Sequence, residues 1–319
     1  VGSIIDGFDT MVGLSDTSEF AVLEGDEYLT SALDPRPKFH LYMPDIAIIN
    51  GIAWDHMNVF PTFENYVDQF RIFIEKISDE GILIYFEGDP EVKKIALEAK
   101  NNIIKRPYEV HGYYQDKTGF YAATHNRVVP MKIFGGHNMQ NLSAAKEACL
   151  AAGISEDDFY RAIRSFEGTS KRLQKLCGND NGDAYLDFAH SPSKVKATVE
   201  AISARYSGRD IVACLELHTY SSLNINFLPQ YHGTLEKASY PFVYFNPNAV
   251  RHKKLPLLSV EEVRKAFGNK DIMVFDNSTE MFSFIRKQNF HNPVYLFMSS
   301  GDFDGKNLLE LSHDLLQMK

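Results

Sequence analysis

Cysteine is scarce in this chain of 319 residues, and the three present, Cys149, Cys177 and Cys214, stand far apart. That spacing excludes a disulfide framework and a cysteine zinc site; buried thiols in a reducing, cytoplasmic compartment are the usage left. Long apolar runs are absent, so nothing approaches the ~20 residues of a membrane-crossing helix, and no secretory signal opens the chain. Positive charge is in deficit. The net charge of −9 argues against nucleic acid or an anionic membrane as the main partner, while leaving room for a local basic pocket for phosphates. There is no G-x-S-x-G elbow, no C-x-x-C pair and no G-x-G-x-x-G fingerprint, which removes support for triad hydrolysis, thiol redox chemistry and dinucleotide binding. The run Gly301-Asp302-Phe303-Asp304-Gly305-Lys306 imitates a phosphate loop but is one residue short and continues with Asn307 in place of Ser or Thr.

What the chain does contain is the composition of a soluble globular protein, 44% hydrophobic and 24% charged, at a length that suits two domains. Residues 20–24 and 46–50 are continuous apolar runs, the pattern of parallel strands buried on both faces. A helical period follows over 63–77, then a strand over 82–86 closing on Glu87-Gly88-Asp89-Pro90. Strand, crossover and strand in succession give an α/β fold with a mainly parallel sheet. From 100 to 132 the texture turns to short polar and aromatic segments, among them 108–114 and 119–123, which read as antiparallel strands at an edge. A helix is expected over 142–152, and Ser155-Glu156-Asp157-Asp158 reads as a capping box for a further helix over 159–166. Glu167-Gly168-Thr169-Ser170 is a break, which sets a first domain at 1–168 and a second at 169–319. Beyond it the α/β rhythm restarts, with strands at 184–188, 211–215, 242–245, 272–275 and 294–298 and helices at 193–206 and 308–317. The chain opens at Val1 in mid-pattern, which we read as a sign of natural sequence upstream.

Polar residues concentrate where an open parallel sheet binds ligands, beyond the carboxyl ends of its strands. Gly135-Gly136-His137-Asn138-Met139-Gln140-Asn141 precedes an alanine-rich helix. Asn138 and Asn141, three apart, share a face on which amides can read the edge of a flat heterocycle; capping of the helix is the alternative duty for the same residues. Glu24 and His56 each follow a strand and suit a divalent cation such as magnesium, which needs few protein ligands, or else serve as loop residues bonded to backbone. In the second domain Asp187 and His190 end a strand ahead of Pro192, which opens a helix. Asp187 suits a ribose hydroxyl, and His190 a phosphate or acyl group. Arg172 is either a fixed cation for phosphates or a surface ion-pair partner.

Taken in order, Leu23-Glu24-Gly25-Asp26-Glu27, Ile49-Asn50 through Asp55-His56-Met57, Gly136-His137-Asn138 with Asn141 and Ala144-Ala145, Arg172, and Asp187-Phe188-Ala189-His190-Ser191-Pro192 resemble the Mur ligase family over almost the whole chain. The resemblance implies a partial central ATPase domain with a mainly parallel sheet, followed by a Rossmann-like C-terminal domain that binds the acceptor. It implies an ATP-dependent ligase of peptidoglycan synthesis and recycling, in which a muramyl carboxylate attacks the γ-phosphate of ATP and an amine then opens the acyl phosphate. The implied roles are Mg2+ ligation for Glu24 and His56, adenine contacts for His137, Asn138 and Asn141, a phosphate contact for Arg172 and a ribose contact for Asp187. His190 falls beside the reacting groups, and His218, Tyr220 and Ser221 fall on the acceptor.

Within the family, Asp26-Glu27-Tyr28, residues 34–38 with Tyr42, and Met298-Ser299-Ser300-Gly301-Asp302-Phe303 resemble the branch that joins UDP-N-acetylmuramate to a recycled L-alanyl-γ-D-glutamyl-meso-diaminopimelate peptide. The branch that adds L-alanine is its neighbour, and folylpolyglutamate synthase shares the Asp-x-Ala-His-x-Pro pattern. The family's phosphate loop and N-terminal UDP-binding domain lie upstream of the first matched position, so this chain by itself is expected not to hydrolyse ATP. The loop Glu216-Leu217-His218-Thr219-Tyr220-Ser221-Ser222 departs from the family, which usually carries arginine there. Leu186 stands at a position that is acidic in close relatives, and Arg71 at one that is a modified lysine in some branches. From a different class, a nucleotide-binding module without catalysis is the remaining alternative.

Overall fold

In the computed structural model, which describes residues 13, 15–269 and 271–317, the chain divides between Thr169 and Ser170 into two compact units. In the first, β1 (Ile46–Ile49), α1 (Phe63–Glu75), β2 (Ile82–Phe86), α2 (Pro90–Glu98) and β3 (Ile104–Tyr108) alternate, and the strands pair in parallel in the order β1-β2-β3. The two-residue period of β2 decides which layer each side chain joins. Leu83 and Tyr85 enter a core with Val67, Phe73 and Ile74 of α1 and Val92, Ile95 and Ala96 of α2. Ile84 turns to the other face and meets Tyr108 and Ala144. Each large apolar side chain buried in this way contributes roughly 1.5–3 kcal/mol.

β4 (Tyr113–Gln115), β5 (Phe120–Ala123) and β6 (Val128–Met131) then form a separate antiparallel sheet. α3 (Gly136–Ala151) follows and packs on β2 through Ala144 and Ala148, side chains small enough to let helix and sheet approach closely. α4 (Glu156–Ile163) starts at Ser155, whose hydroxyl accepts the Asp158 N–H.

Several expectations for this unit change. Residues 20–24 form no strand: Phe20, Val22 and Leu23 are exposed, and β1 pairs with β2 without a partner from this run. An extended segment becomes a strand only by pairing, and this one lacks its ladder. Residues 104–108 belong to the parallel sheet, where β3 lies at the edge and so tolerates Pro107, which has no N–H to donate. Asp89-Pro90, which reads as the close of a strand, is also the cap and first turn of α2, the Asp89 carboxylate accepting the N–H groups of Glu91 and Val92. α3 and α4 begin several residues ahead of their apolar periods, because their first turns are polar.

In the second unit β7 (Gln174–Asn179) and β8 (Gly182–Asp187) form a hairpin. There follow α5 (Pro192–Arg205), β9 (Ile211–Leu217), β10 (Tyr240–Phe245), α6 (Pro247–His252), α7 (Val260–Phe267), β11 (Met273–Phe275), α8 (Ser278–Arg286), β12 (Val294–Met298) and α9 (Leu308–Gln317). One six-stranded sheet runs β11-β10-β9-β12-β8-β7, parallel except for β7. β9 and β12 are buried along their whole lengths, as central strands covered on both faces require. Strand order reverses between them: after β9 the chain moves outward to β10, whereas after β12 it returns to α9, which packs on β7 and β8. Such a reversal opens a crevice at the carboxyl ends of the two strands. Among the described residues no helix is long and apolar enough to cross a membrane.

Candidate functional site

Gly135 is the N-cap of α3 at φ +93°, a conformation that strains any residue with a β-carbon, so glycine lets the chain enter the helix abruptly. No side chain caps the helix. Asn138 instead donates its Nδ2–H to the Phe134 carbonyl (2.8 Å), and its Oδ1 has no hydrogen-bond partner among the described residues. Asn141 Oδ1 accepts from Asn50 Nδ2 (3.3 Å), Asn50 Oδ1 accepts from the Tyr108 hydroxyl (2.7 Å), and Gln140 Nε2 donates to the Asn50 carbonyl. Since Asn50 follows β1 and Tyr108 ends β3, this network crosses the carboxyl ends of the sheet beneath the first turns of α3. Burial pushes the Tyr108 phenol up to about 12, so it acts as a neutral donor at any working pH. His137 is half-buried in the same first turn. The parts played by Asn50, Tyr108 and Gln140 went unread in the sequence; an amide directly after an apolar strand was the available signal.

The loop after β1 is pinned by Asp89, whose Oδ2 accepts the Ile52 N–H (2.9 Å). Further along, Asp55 Oδ1 accepts the His56 N–H (2.8 Å), and His56 adopts a left-handed φ of +53°. A strained backbone persists only where its surroundings over-determine it, and here the His56 carbonyl also accepts from the N–H groups of Val59 and Phe60. The turn brings the imidazole to Glu27: Nε2 lies 3.1 Å from Glu27 Oε1 and 3.9 Å from Asp55 Oδ2. The Tyr28 ring packs 4.2 Å from the imidazole, and the Tyr66 hydroxyl donates to Glu27 Oε1 (3.4 Å).

Of the two residues expected at a cation, His56 meets Glu27, and Glu24 is exposed. Asp26 accepts both the Tyr28 N–H (2.8 Å) and the Lys38 ammonium (2.7 Å), and this anchored turn presents Glu27 to the ring and leaves Glu24 exposed. Two carboxylates beside one imidazole are donors that a hard divalent cation accepts. Among the described residues no three such side chains already converge on one point, so Glu27 and His56 would open toward the ion from the bond they share.

In the second unit Arg172 projects from a turn in which Lys171 (φ +57°) and Leu173 (φ +45°) are both left-handed. Asp187 holds that turn. Its Oδ2 accepts the Leu173 N–H (2.7 Å) and its Oδ1 the Ala189 N–H (2.7 Å), while the Phe188 N–H donates to the Lys171 carbonyl (2.7 Å). The Arg172 guanidinium lies 5.5 Å over the Phe188 ring, and the His190 ring packs edge-on against the same phenyl at 5.2 Å. Arg172, Asp187 and His190 are thus gathered around Phe188. The His190 Nδ1–H donates to the Phe188 carbonyl (2.8 Å), so in the neutral ring the lone pair is on Nε2. Burial pushes the Asp187 carboxyl up, against the opposing pull of the Leu173 and Ala189 amides and of Arg172. This structural duty was not foreseen for Asp187: each oxygen already has a backbone partner, so a ribose hydroxyl would share one.

His218, Tyr220 and Ser221 follow β9 into the crevice at the strand reversal. The Ser222 N–H donates to Thr219 Oγ1 (3.1 Å) and the Leu223 N–H to the Thr219 carbonyl (3.1 Å), a tight turn that buries Ser221 and leaves His218 and Tyr220 partly exposed. The hub is Glu216, only 2% exposed. Its Oε2 accepts the Ser299 hydroxyl and the Phe303 N–H (2.9 Å), and its Oε1 lies 3.7 Å from His218 Nδ1. Contact with Glu216 raises the pKa of His218; Asp302 adds to the rise, and burial and Lys253 oppose it.

Residues 8–149 match the Mur ligase middle domain. The UDP-N-acetylmuramate–L-alanine ligase of Caldicellulosiruptor saccharolyticus is 29% identical over 219 residues, 65% of this chain and 46% of that protein. The enzyme of the same name from Streptococcus pneumoniae is 26% identical over 304 residues, 90% of this chain and 64% of its own length. The crystal structure of a murein peptide ligase from Psychrobacter arcticus superposes with a TM-score of 0.62 at 18% identity, covering 96% of this chain and 65% of that one. MurF from Acinetobacter baumannii gives 0.66 at 16% identity over 88% of this chain and 61% of its own. These two structures share the fold. The chain spans about half to two-thirds of the length of the relatives it matches.

Proposed function

Because this chain belongs to the Mur ligase family, we propose that it forms part of an ATP-dependent amide-bond ligase that joins a cell-wall peptide to the carboxylate of UDP-N-acetylmuramate in the cytoplasm. The observation that carries the reading is the middle-domain match over residues 8–149, which takes in both the His56 loop and the Asn138–Asn141 turn of α3. On this reading the first unit is part of the ATP-binding domain and the second is the acceptor domain. Asn138 and Asn141 offer amide groups to the adenine edge, with His137 beside them. Arg172 supplies a permanent positive charge for phosphate oxygens, and Asp187 a carboxylate for the ribose.

The muramyl carboxylate attacks the γ-phosphorus of ATP, the bond to the bridging oxygen breaks, and ADP departs. The amine of the acceptor then adds to the acyl phosphate carbonyl, and the tetrahedral intermediate expels phosphate. His190 Nε2, the nitrogen that bears the lone pair, takes the proton the amine loses. Negative charge accumulates on the transferring phosphoryl group, so a fixed cation such as Arg172 is where catalysis gains most. His56, with Glu27 and Asp55 beside it, would hold Mg2+, which when bound neutralises charge on the phosphates.

A second reading, with L-alanine as the acceptor, is favoured by the names of the relatives in Caldicellulosiruptor saccharolyticus and Streptococcus pneumoniae. The test is phosphate release by the full-length gene product with ATP, Mg2+ and UDP-N-acetylmuramate, comparing L-alanine with L-alanyl-γ-D-glutamyl-meso-diaminopimelate. Release that needs the peptide supports the first reading and release that needs L-alanine the second. No release with either sinks both.

A further inference from the structure

We infer that the cavity at the amino ends of β8 and β12 is a separate ligand site, which takes a zwitterionic amino compound with an apolar side chain, an amino acid or a dipeptide. The inference stands on the second unit alone and does not depend on the ligase reading. The cavity measures about 430 Å³ and lies between the turn that leads into β8, the segment that leads into β12, and the last turns of α8 and α9. Small-molecule sites span roughly 300–1,000 Å³, so the volume suits a ligand of that size. Asp187, His190 and Ser299 stand at the opposite ends of these strands, roughly 15 Å away at ~3.3 Å per residue. The proposed reaction makes no use of this end of the sheet.

Hydrogen bonds within the protein fix the walls. Arg209 donates its Nε–H to the Asn292 carbonyl (2.9 Å), an Nη2–H to the Pro293 carbonyl (3.0 Å) and an Nη1–H to Asp183 Oδ2 (2.6 Å), and Asp210 Oδ2 accepts the His291 N–H (2.7 Å). Asn181 Nδ2 donates to the Leu316 carbonyl (2.9 Å), and a β-carbon added at Gly182 would collide with the Pro293 carbonyl oxygen, so the turn before β8 packs tightly on both neighbours. A pocket held in this way binds at little cost in reorganisation. Its floor is apolar: Ile285, Leu315 and Leu316 are buried, and Phe290 is held edge-on by Tyr240 (4.7 Å) and Tyr295 (6.1 Å). Tyr295 lines the cavity too. It is 4% exposed, and its hydroxyl has no hydrogen-bond partner among the described residues, which is the state of a donor awaiting an acceptor atom. Burial pushes its pKa up to about 12, so the donor is neutral.

Charge decides what kind of molecule fits. Among the described residues that line the cavity, Arg286 and Asp180 carry the fixed charges, one of each sign. Asp180 has no ion-pair partner among the described residues, and Arg286 meets Asp314 at 3.4 Å in an exposed pair of the kind that contributes little. Both are therefore open to a ligand, as are the side-chain amides of Asn289 and Asn292, which make no hydrogen bond among the described residues. An ion of single charge is attracted by one of the pair and repelled by the other, whereas a zwitterion satisfies both. Its carboxylate pairs with the planar fork of Arg286 and its ammonium with Asp180. The apolar side chain then covers the floor at Phe290 and leaves water, and a peptide group, where present, faces the amides.

The test is calorimetric titration of the full-length gene product with L-phenylalanine and L-alanyl-L-phenylalanine. At least one of these zwitterions should bind saturably, and which one does so separates the amino acid from the dipeptide. N-acetyl-L-phenylalaninamide, which keeps the side chain and loses both charges, should not bind, and phenylpropionate and phenylethylamine, with one charge each, should bind at least roughly tenfold more weakly. Arg286→Gln and Asp180→Asn should each weaken the zwitterion by roughly tenfold, the scale of a lost hydrogen bond to a charged group, with unchanged melting temperatures; Tyr295→Phe should weaken it several-fold. His218→Gln, at the other end of the sheet, should leave the affinity as it is. No saturable binding of either zwitterion, equal binding of the blocked compound, or binding that Arg286→Gln and Asp180→Asn leave intact overturns the inference. Phenylpropionate binding that Asp180→Asn strengthens would make this an anion site and overturn it as well. None of these outcomes depends on phosphate release, so the ligase reading stands or falls separately.

Discussion

Replacing Asn50 with alanine asks whether the amide network under α3 serves a ligand or only the fold. The substitution removes the acceptor of the Tyr108 hydroxyl (2.7 Å) and the donor to Asn141 (3.3 Å), and spares the Gln140 bond, which goes to the backbone carbonyl of residue 50. Tyr108 is 5% exposed, so its hydroxyl loses its partner away from bulk water. An orphaned buried donor costs about 1–3 kcal/mol. Asn50 is itself exposed, and water entering the vacated space brings the expected loss for the first unit to about 1–2 kcal/mol. Tyr108→Phe should cost about 1 kcal/mol, and the double variant less than the two single costs together, because with the hydroxyl gone nothing is orphaned.

Guanidinium unfolding of the four proteins gives that cycle. ATP titration of the full-length forms gives the functional half, in which Asn50→Ala should weaken nucleotide binding and Tyr108→Phe should do so less, since only the former frees the Asn141 amide. Additive unfolding costs would refute the network. Coupled costs with unchanged ATP affinity would make it a structural brace and remove Asn141 from the adenine site.

For the metal, Glu27→Gln in the full-length gene product should raise the Mg2+ concentration needed for half-maximal activity several-fold, whereas Glu24→Gln should not; the reverse order would show that the Glu27–His56 contact is not the cation site. Asp187→Ala strips the acceptors from the Leu173 and Ala189 amides, both buried, and should destabilise the second unit by about 2–4 kcal/mol in chemical denaturation; a loss of activity without loss of stability would assign the carboxylate to the ligand alone. In the first unit, burial holds the pKa of His111 and of His40 below the ordinary value, so the unfolded chain takes up protons first as the solution is acidified. Stability of this unit should be complete above pH ~6.5 and decline as pH falls toward the lower folded values, with His111→Gln reducing the slope; a flat melting profile between pH 8 and 5 contradicts this.

The parts of the fold that could be read from the sequence are those written in local hydrophobicity. β2, β12 and α9 are apolar runs or periods bounded by polar residues, and they form where their patterns say. β7 was missed because it is an edge strand with a mostly exposed, polar surface, so no apolar pattern marks it. The same division runs through the candidate site. Asn138 and Asn141 could be read because a glycine pair and a helix start locate them within a few residues, and Arg172, Asp187 and His190 because one short segment and one strand end carry all three.

Whether Glu24 or Glu27 meets His56 depends on the salt bridge between Asp26 and Lys38, twelve positions apart, and on a left-handed turn at His56, neither of which a local pattern encodes. Glu216 shows the same limit most sharply. An acid at the end of an apolar run gives no sign in sequence of being buried, and it becomes a hub only because strand order reverses between β9 and β12, which brings Ser299 and Phe303, more than eighty residues away, onto its carboxylate. A buried carboxylate persists where donors satisfy it. Ser299 and the Phe303 amide already satisfy one oxygen, so the charge left at the mouth of the crevice falls on the other, and the group that answers it is His218.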